Sequence, residues 1–274
     1  MLINGTPAQV IEAADRGLQY GDGLFETLAV VDGRPCLWKP HMNRLRSGCE
    51  RMGIECPDES LLLRESLAEI DSEQHGILKI IVTRGAGQRG YRPPVPSNPN
   101  RILDCTPWPV HLDTRSDPGV EVRLCSLRLG RNPVLAGMKT LNRIEQVLAR
   151  SEWSDDRIAE GLMFDTEGYL IEGTASNLFL FLRGRLVTPD LTNCGIAGIM
   201  RGLVMEQAEK LGIPLSIQNL RLADLKAADG LFLTNSLIGI QPVAKVGDWT
   251  YGLEFMDTGL VKEVVSRGFG DEVH

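Results

Sequence analysis

Histidine and lysine are scarce in this chain, and no long apolar run occurs. Four histidines stand among 274 residues, far apart, and the six cysteines (Cys36, Cys49, Cys56, Cys105, Cys125 and Cys194) are scattered with no C-x-x-C pair. That spacing argues against a structural zinc site, whose ligands must cluster. It suits reduced thiols in a cytoplasmic protein. A basic excess is also missing. Twenty-nine Lys and Arg against 36 Asp and Glu give a net charge of -7, contrary to the electrostatic footprint of a general nucleic-acid binder. Apolar runs such as Leu178–Leu182 are far too short to span a bilayer, so no membrane partner is expected. The opening Met1–Val10 has no basic flank and no long apolar segment, so no signal peptide is expected. Asn4-Gly5-Thr6 matches a glycosylation sequon but reads as a turn.

What is present suffices for a folded protein. The chain is 43% hydrophobic and 24% charged, the balance of an ordinary globular protein with room for one large domain or two modest ones. Asn4-Gly5 suggests an opening hairpin. Gly23–Val31 reads as a strand ending in a turn at Asp32-Gly33. Pro40 marks a helix start, with Met42, Leu45, Cys49 and Met52 at helical spacing. A second helix over Glu59–Ile70 and strands over Ile77–Thr83 and Arg101–Thr106 complete an N-terminal domain over residues 1–108. Four prolines within Tyr91–Asn100 make that stretch a loop. Residues 109–118 are polar, carry Pro109 and Pro118, and read as a linker.

Residues 119–274 form the expected C-terminal domain. A strand at Val120–Ser126 leads into an irregular stretch, Arg128–Leu141. Asn142 and Glu145 match a capping box, and Ile144, Val147 and Leu148 are expected to be the buried face of the helix that follows. Strands are expected over Gly161–Phe164, Tyr169–Glu172, Asn177–Leu182 and Leu186–Thr188. A helix runs from Gly198 to Leu211, with strands at Leu231–Thr234 and Pro242–Val246 and a last helix over Leu253–Ser266. Runs of strands with helices set apart indicate two α+β domains.

Arg84-Gly85-Ala86-Gly87-Gln88-Arg89-Gly90 contains G-x-G-x-x-G after an expected strand. A dinucleotide turn needs a helix immediately behind it to receive the pyrophosphate. Tyr91-Arg92-Pro93-Pro94 cannot start one, so the nucleotide reading fails. What remains is a basic loop, either merely solvated or able to capture an anionic substrate through guanidinium groups.

Three segments carry chemistry. Of seven lysines, Lys39, Lys210, Lys226, Lys245 and Lys262 have polar neighbours, and Lys79 lies in an apolar strand. Lys139 differs: it follows turn formers and small residues and precedes a helix. A partly buried lysine there suits imine chemistry. Glu172-Gly173 reads as a strand end or as a carboxylate placed beside a pyridine nitrogen. Asn193–Arg201 is a glycine-containing loop entering a helix, where free backbone N–H groups suit a phosphate. Arg44, on the first long helix, is a second candidate for that phosphate.

In order along the chain stand His41-Met42-Asn43-Arg44-Leu45, Lys139, E-G-x-x-x-N-L-F at Glu172–Phe179, Gly198-Ile199-Met200-Arg201 and Thr234-Asn235-Ser236. This series resembles the fold-type-IV pyridoxal-phosphate enzymes over nearly the whole chain. That family includes branched-chain aminotransferases, D-amino-acid aminotransferases and aminodeoxychorismate lyases. The resemblance implies a two-domain α+β fold with pyridoxal 5'-phosphate held by Lys139 as a Schiff base. It implies Glu172 on the ring nitrogen, and Arg44 with the backbone of Ile199 and Met200 on the phosphate. Asn235 and Ser236 match a phosphate-side turn. It also implies a homodimer.

Three further segments resemble the lyase branch: Gly21–Thr27, Thr83–Tyr91, and Arg128–Asn132 with Lys139–Arg143. Branched-chain aminotransferases usually carry Gly where Thr27 stands. The lyase resemblance implies conversion of 4-amino-4-deoxychorismate to 4-aminobenzoate and pyruvate, a step of folate synthesis. In that chemistry Lys139 moves the proton and Thr27 positions a proton donor, while Arg84, Arg89 and Tyr91 are candidates for the substrate carboxylates. The alternative is an aminotransferase on the same scaffold.

Overall fold

The computed structural model describes residues 1–70, 75–108, 119–254 and 259–270. The chain divides into two units. Unit 1 is Met1–Val110 with Met138–Asn142, and unit 2 is His111–Gly137 with Arg143–His274. The expected linker, 109–118, lies outside the described residues.

Unit 1 contains β1 (Leu2–Ile3), β2 (Thr6–Pro7), α1 (Arg16–Tyr20), β3 (Gly23–Val31), β4 (Arg34–Pro35), α2 (Trp38–Met52), α3 (Glu59–Glu69), β5 (Gly76–Thr83) and β6 (Asn100–Pro107). The strands form one antiparallel sheet in the order β2-β1-β6-β5-β3-β4. Successive side chains of a strand point to opposite faces. Leu24, Leu28 and Val30 of β3 therefore share a face, and they join Met42, Leu45 and Cys49 of α2 in one core cluster. Burying each such aliphatic side chain stabilises the unit by roughly 1.5–3 kcal/mol. Phe25 and Thr27 take the other face and stay half-buried.

Met138–Asn142 attaches to the edge of β3. The Phe25 N–H donates to the Lys139 carbonyl at 3.0 Å, and the Leu141 N–H donates to the Gly23 carbonyl at 3.0 Å. Leu24 stands opposite Thr140. These bonds put Lys139 in unit 1, whereas the sequence places it in a C-terminal domain. Backbone pairing with a strand more than a hundred residues away overrides chain order.

Unit 2 contains β7 (Val120–Leu129), α4 (Ile144–Arg150), β8 (Ile158–Asp165), β9 (Leu170–Gly173), β10 (Asn177–Leu182), β11 (Arg185–Pro189), α5 (Ile199–Lys210), β12 (Leu215–Gln218), α6 (Leu222–Lys226), β13 (Gly230–Asn235), β14 (Gly239–Val246), β15 (Trp249–Thr250) and α7 (Leu260–Phe269). Its sheet runs β12-β11-β10-β13-β14-β7-β8-β9, with β15 beside β14. The β11–β12, β14–β7 and β7–β8 pairs are parallel and the rest antiparallel. Helices α5 and α7 pack on each other and on the central strands β13 and β14. Phe179 and Phe232 stack at 5.0 Å between centroids in the β10–β13 pair.

Three expectations for unit 2 are corrected. Ile144, Val147 and Leu148 are not the buried face of α4: they are 65%, 59% and 52% exposed, and only Ala149 is buried. The capping box is not formed. The residue before α4 is Arg143, with no side-chain cap; Asn142 instead donates to the Gly21 carbonyl, and Glu145 accepts from the Gly130 N–H at 2.7 Å. Both side chains find partners distant in sequence. The last helix begins at Leu260 rather than Leu253, with 255–258 outside the described residues. Among the described residues, no helix is long and apolar enough to cross a membrane.

Candidate functional site

Functional side chains gather in each unit. In unit 1 the strand alternation decides their placement. Lys139 lies opposite Phe25, so both point to the sheet face away from α2, and Nζ of Lys139 sits 4.4 Å from the centre of the Phe25 ring. Thr27 pairs with Lys79 across β3 and β5 and shares that face. Nζ of Lys79 approaches the same ring at 5.5 Å. An aromatic ring attracts a nearby ammonium group through its quadrupole. A lysine in an apolar strand suggests an outward-facing side chain, and Lys79 is exposed. Its register opposite Thr27 shows which face that is.

The α2 side of β3 holds a buried charged trio. Glu26 and His41 are each 1% exposed. Arg44 stands one helical turn after His41, which puts both on the helix face that meets β3. Glu26 accepts from Arg44 through a fork, Nε to Oε1 at 2.9 Å and Nη2 to Oε2 at 2.5 Å, and from His41 Nδ1 at 2.6 Å. Burial raises the Glu26 pKa, but Arg44 and His41 outweigh it and hold the carboxyl below its ordinary range. Burial pushes His41 down; Glu26 opposes this, Arg44 and Lys139 add to it, and the ring stays below its ordinary value. The trio is thus a carboxylate, a guanidinium and a neutral imidazole.

The three candidates for substrate carboxylates differ in their surroundings. Arg84 is buried and engaged within the fold. Its Nε donates to Asp22 Oδ2, Nη2 to Asp22 Oδ1 and the Met52 carbonyl, and Nη1 to the Gly53 carbonyl. The guanidinium thereby closes the C-terminal end of α2, where orphan carbonyls and the helix dipole favour a cation. Arg89 is exposed. Tyr91 is 85% exposed, with its ring 5.5 Å from that of Tyr20.

In unit 2 the groups are held by backbone amides. Glu172, at the end of β9, accepts from the Ile196 N–H at 2.7 Å and from Gln146 Nε2 at 3.4 Å. The loop before α5 approaches closely enough that only glycine fits. A Cβ at Gly195, whose φ is +85°, would meet Ile171 at 2.7 Å and Glu172 Oε2 at 3.3 Å, and one at Gly198 would run into Asn177 Oδ1. Asn177 ties this loop down, accepting from the Gly198 N–H at 3.0 Å and donating to the Ile196 carbonyl at 2.9 Å. Gly198 precedes α5 without a side-chain cap, so the first-turn amides of Ile199 and Met200 face an anion-favouring helix end. Thr234 pairs with Asn177 across β10 and β13, and its buried hydroxyl has no hydrogen-bond partner among the described residues. Asn235 organises the following turn, accepting from Leu237 and Ile238 N–H groups and donating to the Ala175 carbonyl. Ser236 is half-buried in that turn.

Glu160 anchors the segment after Glu172. Its carboxylate accepts from the N–H groups of Gly161, Thr174 and Ala175 and from the hydroxyls of Thr174 and Ser176. Sequence reading gave no role to Glu160, nor to Glu26 and His41, which lie within the motifs it quoted. The available signal was a charged or polar residue where the strand or helix period calls for an apolar one.

The family model for amino-transferase class IV matches residues 23–246. An aminodeoxychorismate lyase of Vibrio harveyi is 33% identical over 89% of this chain and 90% of its own length. The crystal structure of 4-amino-4-deoxychorismate lyase from Pseudomonas aeruginosa is 44% identical, covers 98% of this chain and 99% of its own, and superposes with a TM-score of 0.90. A branched-chain amino acid aminotransferase from Escherichia coli shares the fold at 23% identity, with a TM-score of 0.82 over 96% of this chain and 90% of its own. The model spans most of the chain and the relatives match it nearly end to end, so this protein belongs to the amino-transferase class IV family, with the fold-type-IV architecture expected from its motifs.

Proposed function

We infer that this protein is a pyridoxal-phosphate-dependent aminodeoxychorismate lyase, converting 4-amino-4-deoxychorismate to 4-aminobenzoate and pyruvate. The end-to-end match to lyases supports the reaction. The observation that carries it in the structure is Lys139, pinned by backbone bonds to β3 on the face that also bears Thr27.

The residues fit the cofactor on their own geometry. The uncapped start of α5 suits a phosphate, as does the Thr234 hydroxyl, which has no partner among the described residues. The Glu172 carboxylate, fixed by a backbone N–H, suits a pyridinium. We assign Lys139 Nζ to the aldehyde, Glu172 to the ring nitrogen, and Arg44 with the Ile199 and Met200 amides to the phosphate. Asn235 and Ser236 shape the phosphate-side turn. When bound, pyridoxal phosphate supplies a carbonyl that joins amines and a protonated ring that withdraws electrons from the neighbouring carbon.

Lys139, displaced by the substrate amine, is then the base at the amine-bearing ring carbon. Loss of that proton and cleavage of the C–O bond to the enolpyruvyl group leave an aromatic ring. The released fragment takes up a proton at its methylene carbon to become pyruvate, and Thr27 holds the donor or a donor water for that step. The substrate carries two carboxylates. Lys79, on the Thr27 face, joins Arg89 and Tyr91 as a candidate to hold them. Arg84 is committed to Asp22 and the end of α2 and stands last among these.

The exposed Ile144, Val147 and Leu148 stripe, with Val134 at 75% exposure nearby in sequence, supports the expected homodimer, a second copy covering the stripe. The six thiols fit the expected cytoplasmic location. Incubating the purified protein with 4-amino-4-deoxychorismate tests the reaction: equimolar 4-aminobenzoate and pyruvate are expected. Rapid amino transfer from D-alanine or a branched-chain amino acid to 2-oxoglutarate, with no 4-aminobenzoate, would establish the aminotransferase alternative instead.

A further inference from the structure

Nε2 of His41 is a buried polar atom with no hydrogen-bond partner among the described residues. A leucine or methionine at this α2 position would pack beside Met42 and Leu45 without an orphaned nitrogen. The reason for an imidazole therefore lies at its other nitrogen. Nδ1 is 2.6 Å from Glu26 Oε2, and a carboxylate only accepts, so Nδ1 carries the proton. Glu26 Oε2 thus receives two donors, His41 Nδ1 and Arg44 Nη2, while Oε1 receives Arg44 Nε. The His41 bond fixes the plane of the carboxylate, and the two-point fork passes that plane to the guanidinium. The Nε–Nη2 edge is given to Glu26, which sets the direction in which the Nη1 side points.

We propose that His41 is a positioning residue: through Glu26 it orients the guanidinium of Arg44 for the phosphate of the cofactor. This rests on the reading of Arg44 as a phosphate contact. The imidazole itself touches neither cofactor nor substrate in this account. Its effect is therefore confined to ligands that carry a phosphate, which a general packing role would not be.

Two amide replacements separate the ring nitrogens. In His41→Asn the side-chain amide lies where Nδ1 lies; in His41→Gln it reaches the place of Nε2. The full-length wild type and both variants are titrated with pyridoxal phosphate and with pyridoxal, which lacks the phosphate, and binding is followed by absorbance. His41→Gln is expected to weaken pyridoxal phosphate on the order of tenfold, the worth of one hydrogen bond to a charged group, while changing pyridoxal by less than about twofold. His41→Asn is expected to stay within about threefold of wild type for both ligands. Equal losses for the two ligands, no loss in His41→Gln, or no recovery in His41→Asn overturns the proposal. Wild-type protein that fails to take up pyridoxal phosphate at all overturns the reading of the site as well, which distinguishes the two failures.

Discussion

The two units hold their functional groups by different means. Unit 1 uses side-chain charges: the Glu26 carboxylate meets the Arg44 guanidinium and the His41 ring between a strand and a helix. Unit 2 uses backbone amides. Glu172 takes the Ile196 N–H, Asn177 clamps Gly198, and Glu160 gathers three N–H groups and two hydroxyls. A grip made of ionisable partners titrates and depends on each partner's charge. A grip made of amides depends on one acceptor and on glycines that let the backbone approach.

The largest effect that sharpens this contrast is expected at Glu160. Glu160→Ala removes the charged acceptor shared by three N–H groups and two hydroxyls, the buried Gly161 N–H and Ser176 hydroxyl among them, and urea denaturation should show a loss of about 3–5 kcal/mol. A loss below about 1 kcal/mol would break the account of unit 2. Glu26→Ala leaves Arg44 and His41 facing an emptied position, for about 3 kcal/mol. Unlike Glu160→Ala, it should weaken pyridoxal phosphate more than pyridoxal.

Acid provides the next test. The His41 pKa is depressed in the folded chain, so between pH about 6.5 and its lowered value the unfolded state takes up the proton first, and stability falls as pH falls. Glu26 is also depressed: its contribution is present above the ordinary carboxylate range and is lost as pH falls through its folded value. Denaturation midpoints measured from pH 7.5 to 4 should decline in that order, by at most about 1.4 kcal/mol per pH unit for each group. His41→Asn should remove the first decline and leave the second.

The smallest effect on fold stability is expected on α4. Val147→Asp sits on an exposed face and should alter the stability of one chain by less than about 0.5 kcal/mol. If the proposed homodimer forms through α4, the change should shift sedimentation from dimer to monomer. An unchanged sedimentation coefficient would remove α4 from the interface.

Much of the fold was legible where period and turn chemistry agree. Gly23–Val31 and Asn177–Leu182 are strands over the expected residues, and Gly198 opens α5 as expected. The errors share one cause. An apolar stripe at helical spacing does not say whose core it joins, so Ile144, Val147 and Leu148 read as buried when they are exposed. Arg84 stood among three candidates for the substrate carboxylates, and its bonds to the carbonyls of Met52 and Gly53, some thirty residues earlier, were not legible. Lys139 read as C-terminal because nothing local reveals its pairing with β3. Lys139, Glu172 and the α5 entrance were legible as motifs, whereas the Glu26–His41–Arg44 trio becomes visible only when α2 docks on β3.

The central claim is that Lys139 alone carries the cofactor covalently. The Nζ atoms of Lys139 and Lys79 both approach the Phe25 ring, at 4.4 and 5.5 Å, which makes Lys79 the natural competitor. Borohydride reduction of the pyridoxal-phosphate-loaded protein, followed by peptide mass mapping, decides between them. The account expects the phosphopyridoxyl label on Lys139 and on no other lysine, and its loss in Lys139→Ala. A label on Lys79, or none after loading, would contradict it.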